Sequence, residues 1–189
     1  HALEKQIARA SDSDKDALLA EQQALGGLEV YQNQSTTGGA VLRGGESSKW
    51  CAKILMELWP FSRRIHLLDV GAIAGTAYAK WKHKFDVTSI DIQPRAPHVL
   101  PADFFDFPMP AREEERFDVI GLSLVINFVG DLAKRGDMLL HAHRYLRRGG
   151  YVYVVLPLPC LTNSRYMTHD HFARLGRATG YDVVRNEDS

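Results

Sequence analysis

The sequence predicts an α/β fold, a mainly parallel sheet with helices on both faces. Three observations carry this. Apolar runs of strand length alternate with segments of helical periodicity over most of the chain after residue 60. The strand-like runs are apolar nearly throughout, the pattern of strands covered on both faces. One of them, Ile65 to Val70, stops at a glycine turn, Gly71 to Gly75, and an acid, Asp91, follows twenty residues after Gly71 at the end of the next run. At that spacing a strand–turn–helix–strand unit sets a carboxylate beneath the ribose of a bound nucleotide.

Taken in order, residues 2–25 read as helical, with Ser13-Asp14-Lys15-Asp16 as a capping box and Gly26-Gly27 as the stop. Residues 28–45 read as loop. Ser47 is expected to cap a helix whose apolar face is Trp50, Ile54, Leu55 and Leu58, ended by Pro60. The alternation then predicts strand 65–70, helix 76–83, strand 86–91, a short strand 98–100 and strand 117–122. Helix 131–147, strand 151–156, helix 169–179 and strand 181–185 complete it. Glu113-Glu114-Glu115 reads as a solvated loop.

At 189 residues the chain is long enough for a sizeable single core. Lys plus Arg equal Asp plus Glu at 23 each, so a nucleic-acid partner must find a local basic patch. Two cysteines, Cys51 and Cys160, make neither a disulfide framework nor a metal pattern. No apolar run approaches the roughly 20 residues that span a bilayer, and no membrane role is expected. The chain starts within a helical pattern and stops just after a strand-like YDVV, so it is expected to be part of a longer protein.

The turn also narrows the cofactor. A dinucleotide site wants G-x-G-x-x-G, so that a helix start meets a pyrophosphate. Here the middle glycine is missing and Ile73 stands at the helix entrance. S-adenosylmethionine carries no phosphate and suits this looser turn. Asp91 is then the acceptor for its ribose hydroxyls. Asp103 with Phe104 supplies an acceptor and an apolar slab for its adenine. Gly71, Ala72, Ile92, Ser123 and Leu124 complete the expected cofactor set, because open α/β sheets bind ligands at the carboxyl ends of their strands. The bland alternative is a tight turn at Gly71 and a strand-end cap at Asp91.

Four blocks of sequence are more specific. They are Gly27-Leu28-Glu29 with Tyr31-Gln32, Gly44 to Lys49, Leu122 to Val129 (LSLVINFV), and Leu156 to Met167 (LPLPC, then NSRYM). Together, over about residues 26–185, they resemble the fungal 25S ribosomal RNA adenine-N1 methyltransferases, whose animal relatives include the S-adenosylmethionine sensor SAMTOR. Glu46 departs from the Asp expected there, and loop 33–43 departs in form. The resemblance implies a Rossmann-like class I methyltransferase fold, S-adenosylmethionine as cofactor, and methylation of one adenine of large-subunit rRNA. It also implies a pre-ribosomal setting in the nucleolus or nucleus. It carries over Gly71 and Asp91 as cofactor residues. Residues 1–60 are expected to form a helical extension and cofactor-side loop, and 61–189 the core.

Neutral adenine has a lone pair on N1, so transfer needs alignment more than a strong base. Asn127, just past the fourth strand, is expected to accept from the N6 amino group of the acceptor base, or else to cap a helix. Phe128 stacks or is core. The carbonyls of Pro157-Leu158-Pro159 line the base pocket or merely end a strand. Asn163, Arg165 and Tyr166 lie on the following loop, to grip a phosphate and stack, or to form a structural network. Arg43 is a partner for the cofactor's carboxylate, near Gln32 and the Ser47–Lys49 helix start. Lys80-Trp81-Lys82-His83-Lys84, Arg63-Arg64 and Arg147-Arg148 are candidate RNA contacts or solvated ends. His141 with His143, and His169 with His171, are two apart and share no helix face, so no metal site is expected. An RNA methyltransferase leads this reading. A sensor that binds S-adenosylmethionine and regulates a protein partner is the alternative, and a methyltransferase of small molecules or proteins is the third.

Overall fold

Strands β1 (Ile65–Val70), β2 (Phe85–Asp91), β3 (Leu100–Pro101), β4 (Phe117–Ser123) and β5 (Leu146–Val155) pair in one parallel sheet, in the order β3-β2-β1-β4-β5. The structure is a computed structural model that describes residues 14–15, 40–164 and 167–188. Helix α1 (Ala40–Leu58) precedes the sheet, and α2 (Leu132–His143), α3 (Pro159–Thr162) and α4 (His169–Ala178) follow β4 and β5.

Strand alternation divides the core into two layers. Leu67 of β1 and Val119 of β4 face one side, where Cys51, Ala52 and Leu55 of α1 cover them. Leu68, Ile120 and Leu122 face the other, against Met138, Leu139 and Ala142 of α2, with Leu175 of α4 packed alongside. The expected helices on both faces are therefore present. The helix placed before residue 60 is itself one of the covering layers.

Several expected elements differ. The helix expected at 76–83 is only a 3-10 turn, Ala79–Trp81. Nine residues, 76–84, return the chain from the carboxyl end of β1 to the start of β2. A strand of this length spans about 20 Å, whereas nine α-helical residues reach about 14 Å. A regular α-helix is too short for the crossing.

Helix α1 runs back to Ala40 through Gly44 and Gly45, so Ser47 is interior to it and not its cap. Glycines weaken a helix by about 1 kcal/mol each, which does not forbid one. Helix α2 ends at His143, short of the expected 147, and β5 begins at Leu146. A register shift between Phe117 and Val119 ejects Arg147 to Gly150 as a bulge, with Gly149 at φ +77°. Residues 181–185 form no strand. Tyr181 is pinned by its hydroxyl to the Leu139 carbonyl at 2.8 Å. Its ring stacks on His143 at 4.1 Å, while Arg185 lies 3.8 Å from Glu57 and Trp50 Nε1 donates to Glu187, so the segment runs from α2 across to α1 without pairing in the sheet. The expected helices at 2–25 and the loop that follows lie outside the described residues, apart from Asp14 and Lys15, which are helical. No helix among the described residues is long and apolar enough to cross a membrane.

Candidate active site

In this strand order the chain runs outward from β1 through β2 to β3 on one side and then from β4 to β5 on the other, so the order reverses between β1 and β4, where open α/β sheets place their ligand crevice at the carboxyl ends. The glycine turn forms one lip. Gly71 has φ +71° and Gly75 has φ +62°. The Gly71 and Ala72 N–H groups donate to the Ile90 carbonyl at 2.9 and 3.1 Å, which seats the turn on β2. A Cβ on Gly71 would stand 2.8 Å from Val125 Cγ2, so the loop after β4 packs against this glycine.

Asp91 ends β2 and is buried. Its two oxygens accept the Ile73 N–H at 3.0 Å and the Gln93 N–H at 2.7 Å. One bond per oxygen fixes the carboxylate and leaves further lone pairs for two hydroxyl donors. Beside it Ile92 is 63 % exposed, an apolar surface offered to solvent at the ligand end. Asp103 is exposed and accepts the Phe105 N–H at 2.9 Å. Phe104 departs from its expected place as an adenine slab. It is 2 % exposed and packs in the core against Tyr145 and His141. Ile92 offers the exposed apolar face instead. These groups together suit an uncharged nucleoside: hydroxyl acceptors, an apolar wall and an amino-group acceptor.

The opposite lip follows β4. Ser123 Oγ is 3.5 Å from Ser47 Oγ of α1. Leu124, at φ +57°, donates its N–H to the Val155 carbonyl at 3.0 Å. A 3-10 turn, Ile126–Phe128, then buries Asn127 to 6 % exposure. Asn127 does not cap α2: Asp131 does, its side chain accepting the Ala133 N–H at 2.8 Å. Asn127 Oδ1 is the buried side-chain polar atom left without a hydrogen-bond partner among the described residues. Such atoms are rare, since each costs about 1–3 kcal/mol, and one beside a crevice calls for a donor.

Two residues here have no place in the sequence reading. Arg135 of α2 donates from Nε to the Val129 carbonyl at 2.7 Å and from Nη2 to the Asn127 carbonyl at 3.4 Å, clamping the turn that carries Asn127. Asp69, two residues before Gly71, shares the α1 side with Leu67 by strand alternation. Burial, and then the nearby Asp91 carboxylate, raise its carboxyl to about 7. Its neighbours are Cys51 and Tyr78, which hydrogen-bond each other. The signal for Asp69 was visible, an acid in an otherwise apolar run. Arg135 gives no signal in a helix of mixed charge.

The remaining expected residues are spread out. The carbonyls of Pro157, Leu158 and Pro159, expected to line the base pocket, accept N–H groups of Cys160, Leu161 and Asn163 within the α3 turn. Asn163 is exposed at the end of α3. Arg165, Tyr166 and Gln32, and the side chain of Arg43, lie outside the described residues.

Comparison with known proteins fits this geometry. The family model for 25S rRNA (adenine(2142)-N(1))-methyltransferase, Bmt2, matches residues 16–189. The chain is 32% identical over 166 residues, 87% of its length, to the 25S rRNA (adenine(2142)-N(1))-methyltransferase of Saccharomyces cerevisiae, covering 49% of that protein. It is 33% identical over 152 residues to the 25S rRNA adenine-N(1) methyltransferase of Schizosaccharomyces pombe, 75% of this chain and 55% of that one. The chain thus spans about half the length of the curated relatives it matches. Among solved structures, the 1,6-didemethyltoxoflavin-N1-methyltransferase of Burkholderia thailandensis superposes with a TM-score of 0.63 at 16% identity, over 94% of this chain and 83% of that one. The plantazolicin methyltransferase BpumL does so with a TM-score of 0.53 at 18% identity, over 81% of this chain and 56% of that one. These two likenesses show the fold, that of Rossmann-like methyltransferases. The sequence matches show the family, and the chain belongs to the Bmt2 family of 25S rRNA adenine-N1 methyltransferases.

Proposed function

We propose that this chain transfers the methyl group of S-adenosylmethionine to N1 of an adenine in large-subunit rRNA. The observation that carries the proposal is the unpartnered Oδ1 of Asn127, buried where the turn after β4 meets the glycine turn. The sulfonium, when bound, supplies an electrophilic methyl. Asp91 accepts the two ribose hydroxyls, Ile92 covers one face of the cofactor's adenine, and Asp103 accepts its amino group. Ser123 and Leu124 border the methyl-bearing end.

Asn127 Oδ1 accepts from the N6 amino group of the acceptor base. This orients N1, whose lone pair forms the new N–C bond as the S–C bond breaks and its electron pair returns to sulfur. The ring gains positive charge in the transfer, and the N6–H becomes a stronger donor. The Asn127 contact is therefore stronger in the transition state than in the ground state, and that difference accelerates the step. Arg135 keeps the turn in place. The acceptor adenine must leave its stack to reach this depth. We extend the proposal to a pre-ribosomal particle as the form of rRNA met, and to the nucleolus as its place. The substrate class in the family's name supports both.

The test is methyl transfer from labelled S-adenosylmethionine to large-subunit rRNA lacking the modification, with the product nucleoside identified by mass. Asn127→Ala is expected to lower kcat by about a hundred-fold, within the range for loss of one pre-organised group, with cofactor affinity unchanged by calorimetry. Asp91→Ala is expected to weaken cofactor binding about ten-fold or more, since it removes charge-assisted hydrogen bonds. Full activity in Asn127→Ala removes the proposed role. Cofactor binding with no transfer to any rRNA favours a sensor that regulates a protein partner.

A further inference from the structure

The sheet has a second end, where the strands start, and basic residues far apart in sequence meet there. Arg63 and Arg64 precede β1, and Lys82 and Lys84 precede β2. Hydrogen bonds tie them into one surface. Ile65 N–H donates to the Lys84 carbonyl at 2.8 Å, Arg64 Nη1 to the Lys82 carbonyl at 3.4 Å, and Trp59 Nε1 to the Arg63 carbonyl at 3.3 Å. A cavity of about 150 Å³ opens between them, lined by Met56, Trp59, Phe61, Arg63 and Lys84 among others, with no carboxylate in its wall.

The aromatic part of this surface is held rigid. Arg63 makes a bidentate pair with the buried Asp118, Nη1 to Oδ2 at 2.6 Å and Nη2 to Oδ1 at 2.7 Å. Its guanidinium carbon then lies 5.0 Å from the Trp59 ring and 5.6 Å from the Phe61 ring. The two rings meet edge to face at 5.2 Å. Phe61 nevertheless stays 59 % exposed. Arg64, Lys82, His83 and Lys84 ring the platform, all exposed, and Asp86 offsets one charge at 3.6 Å from Arg64.

We propose that this end of the sheet is a second RNA-contact site, which stacks an unpaired base on Phe61 and takes the flanking phosphates on Arg64, Lys82 and Lys84. It lies roughly 20 Å, one strand length, from the acceptor pocket, so it engages nucleotides other than the one methylated. An aromatic held beside cations is the pattern that binds single-stranded nucleic acid. Protein-docking patches, in contrast, are depleted in lysine at their centre. The site rests on RNA being the substrate, but not on the role of Asn127.

The test is fluorescence anisotropy of the cofactor-free protein with a labelled single-stranded RNA of about 12 nucleotides, within the usual site size, titrated at several salt concentrations. In the double variant Lys82→Ala/Lys84→Ala, the slope of log affinity against log salt is expected to shrink by about 1.4, roughly 0.7 for each phosphate no longer neutralised. Phe61→Ala is expected to weaken binding roughly ten-fold, as loss of one stacked base does. All three residues are exposed, so the melting temperature is expected to hold. Unchanged slope and affinity in both variants overturn the proposal. So does a Phe61→Ala variant that keeps its RNA affinity but loses a bound protein. Asn127 is assigned a base and no phosphate, so Asn127→Ala is expected to lower methyl transfer while leaving the salt slope unchanged, and failure of the acceptor-site reading and failure of this one are read on different instruments.

Discussion

Asp69 and Asp91 end neighbouring strands, yet their surroundings give them different work. Asp91 is wired to two backbone N–H groups and keeps lone pairs for a ligand. Asp69 sits among Cys51 and Tyr78, and burial lifts its carboxyl to about 7. Between the ordinary value of 3.8 and about 7 the folded chain therefore holds a proton that the unfolded chain releases. Stability of the ligand-free protein is expected to fall as pH rises through that window, by at most about 1.4 kcal/mol per unit, and then to level off. A cationic ligand favours ionised Asp69, so affinity for S-adenosylmethionine is expected to rise from acidic to mildly basic pH. Urea unfolding and calorimetry at a series of pH values test both, and Asp69→Asn should flatten both profiles. At this scale the sequence was legible where spacing sets geometry: it put Asp91 at the end of a strand, where its carboxylate meets the glycine turn. It was not legible for Phe104, because whether a ring faces a cleft or the core depends on packing that spacing does not encode.

The elements show which local rules held. Apolar runs gave the strands to within a few residues, since strands covered on both faces need unbroken apolar stretches. Helix ends were less legible. Ser47 has the right type for a cap, but α1 continues past it, while Asp131 does cap α2. The YDVV segment has strand-like residues, yet its contacts go to α2 and α1 and it makes no ladder with β5. Two substitutions separate scaffold from site. Gly71→Ala sets a Cβ against Val125 at a φ of +71°, at a cost of about 1–3 kcal/mol. It is expected to lower both melting temperature and cofactor affinity, because the glycine turn and the Asn127 turn press on each other. Asp131→Ala is expected to cost about 1 kcal/mol of stability by removing the cap, with cofactor affinity unchanged in calorimetry.

Over the whole molecule, Asp118 joins the chain's distant parts. Arg63 before β1, the His66 N–H within it, and Arg147 in the β5 bulge all meet this one carboxylate. Burial alone would raise its carboxyl, but those three partners hold it below the usual range. Its contribution is present above the ordinary carboxylate value and is lost as pH falls below it. Asp69 acts in the opposite sense, so the combined contribution of the two is expected to peak near their shared ordinary value of 3.8. Asp118→Ala should lower stability by about 1–3 kcal/mol, because the arginines it releases are part-exposed and regain water. It should also loosen the Trp59–Phe61 platform, which denaturant melts followed by tryptophan fluorescence would detect. The parallel sheet and its covering helices were legible from alternation alone. The convergence of basic tracts at the far end was not, since only the strand order brings them together.

The short crossover after the glycine turn has one more consequence, for which nucleotides can lodge here. A dinucleotide site offers a pyrophosphate the positive pole of a long helix and its free N–H groups. Here residues 76–84 form no such helix, and the Ile73 N–H is already given to Asp91. An anion at this lip would face the Asp91 carboxylate and, above about pH 7, that of Asp69 as well. On the proposed function, the lip would sort its ligands by charge before it sorts them by shape, favouring a sulfonium over a phosphate.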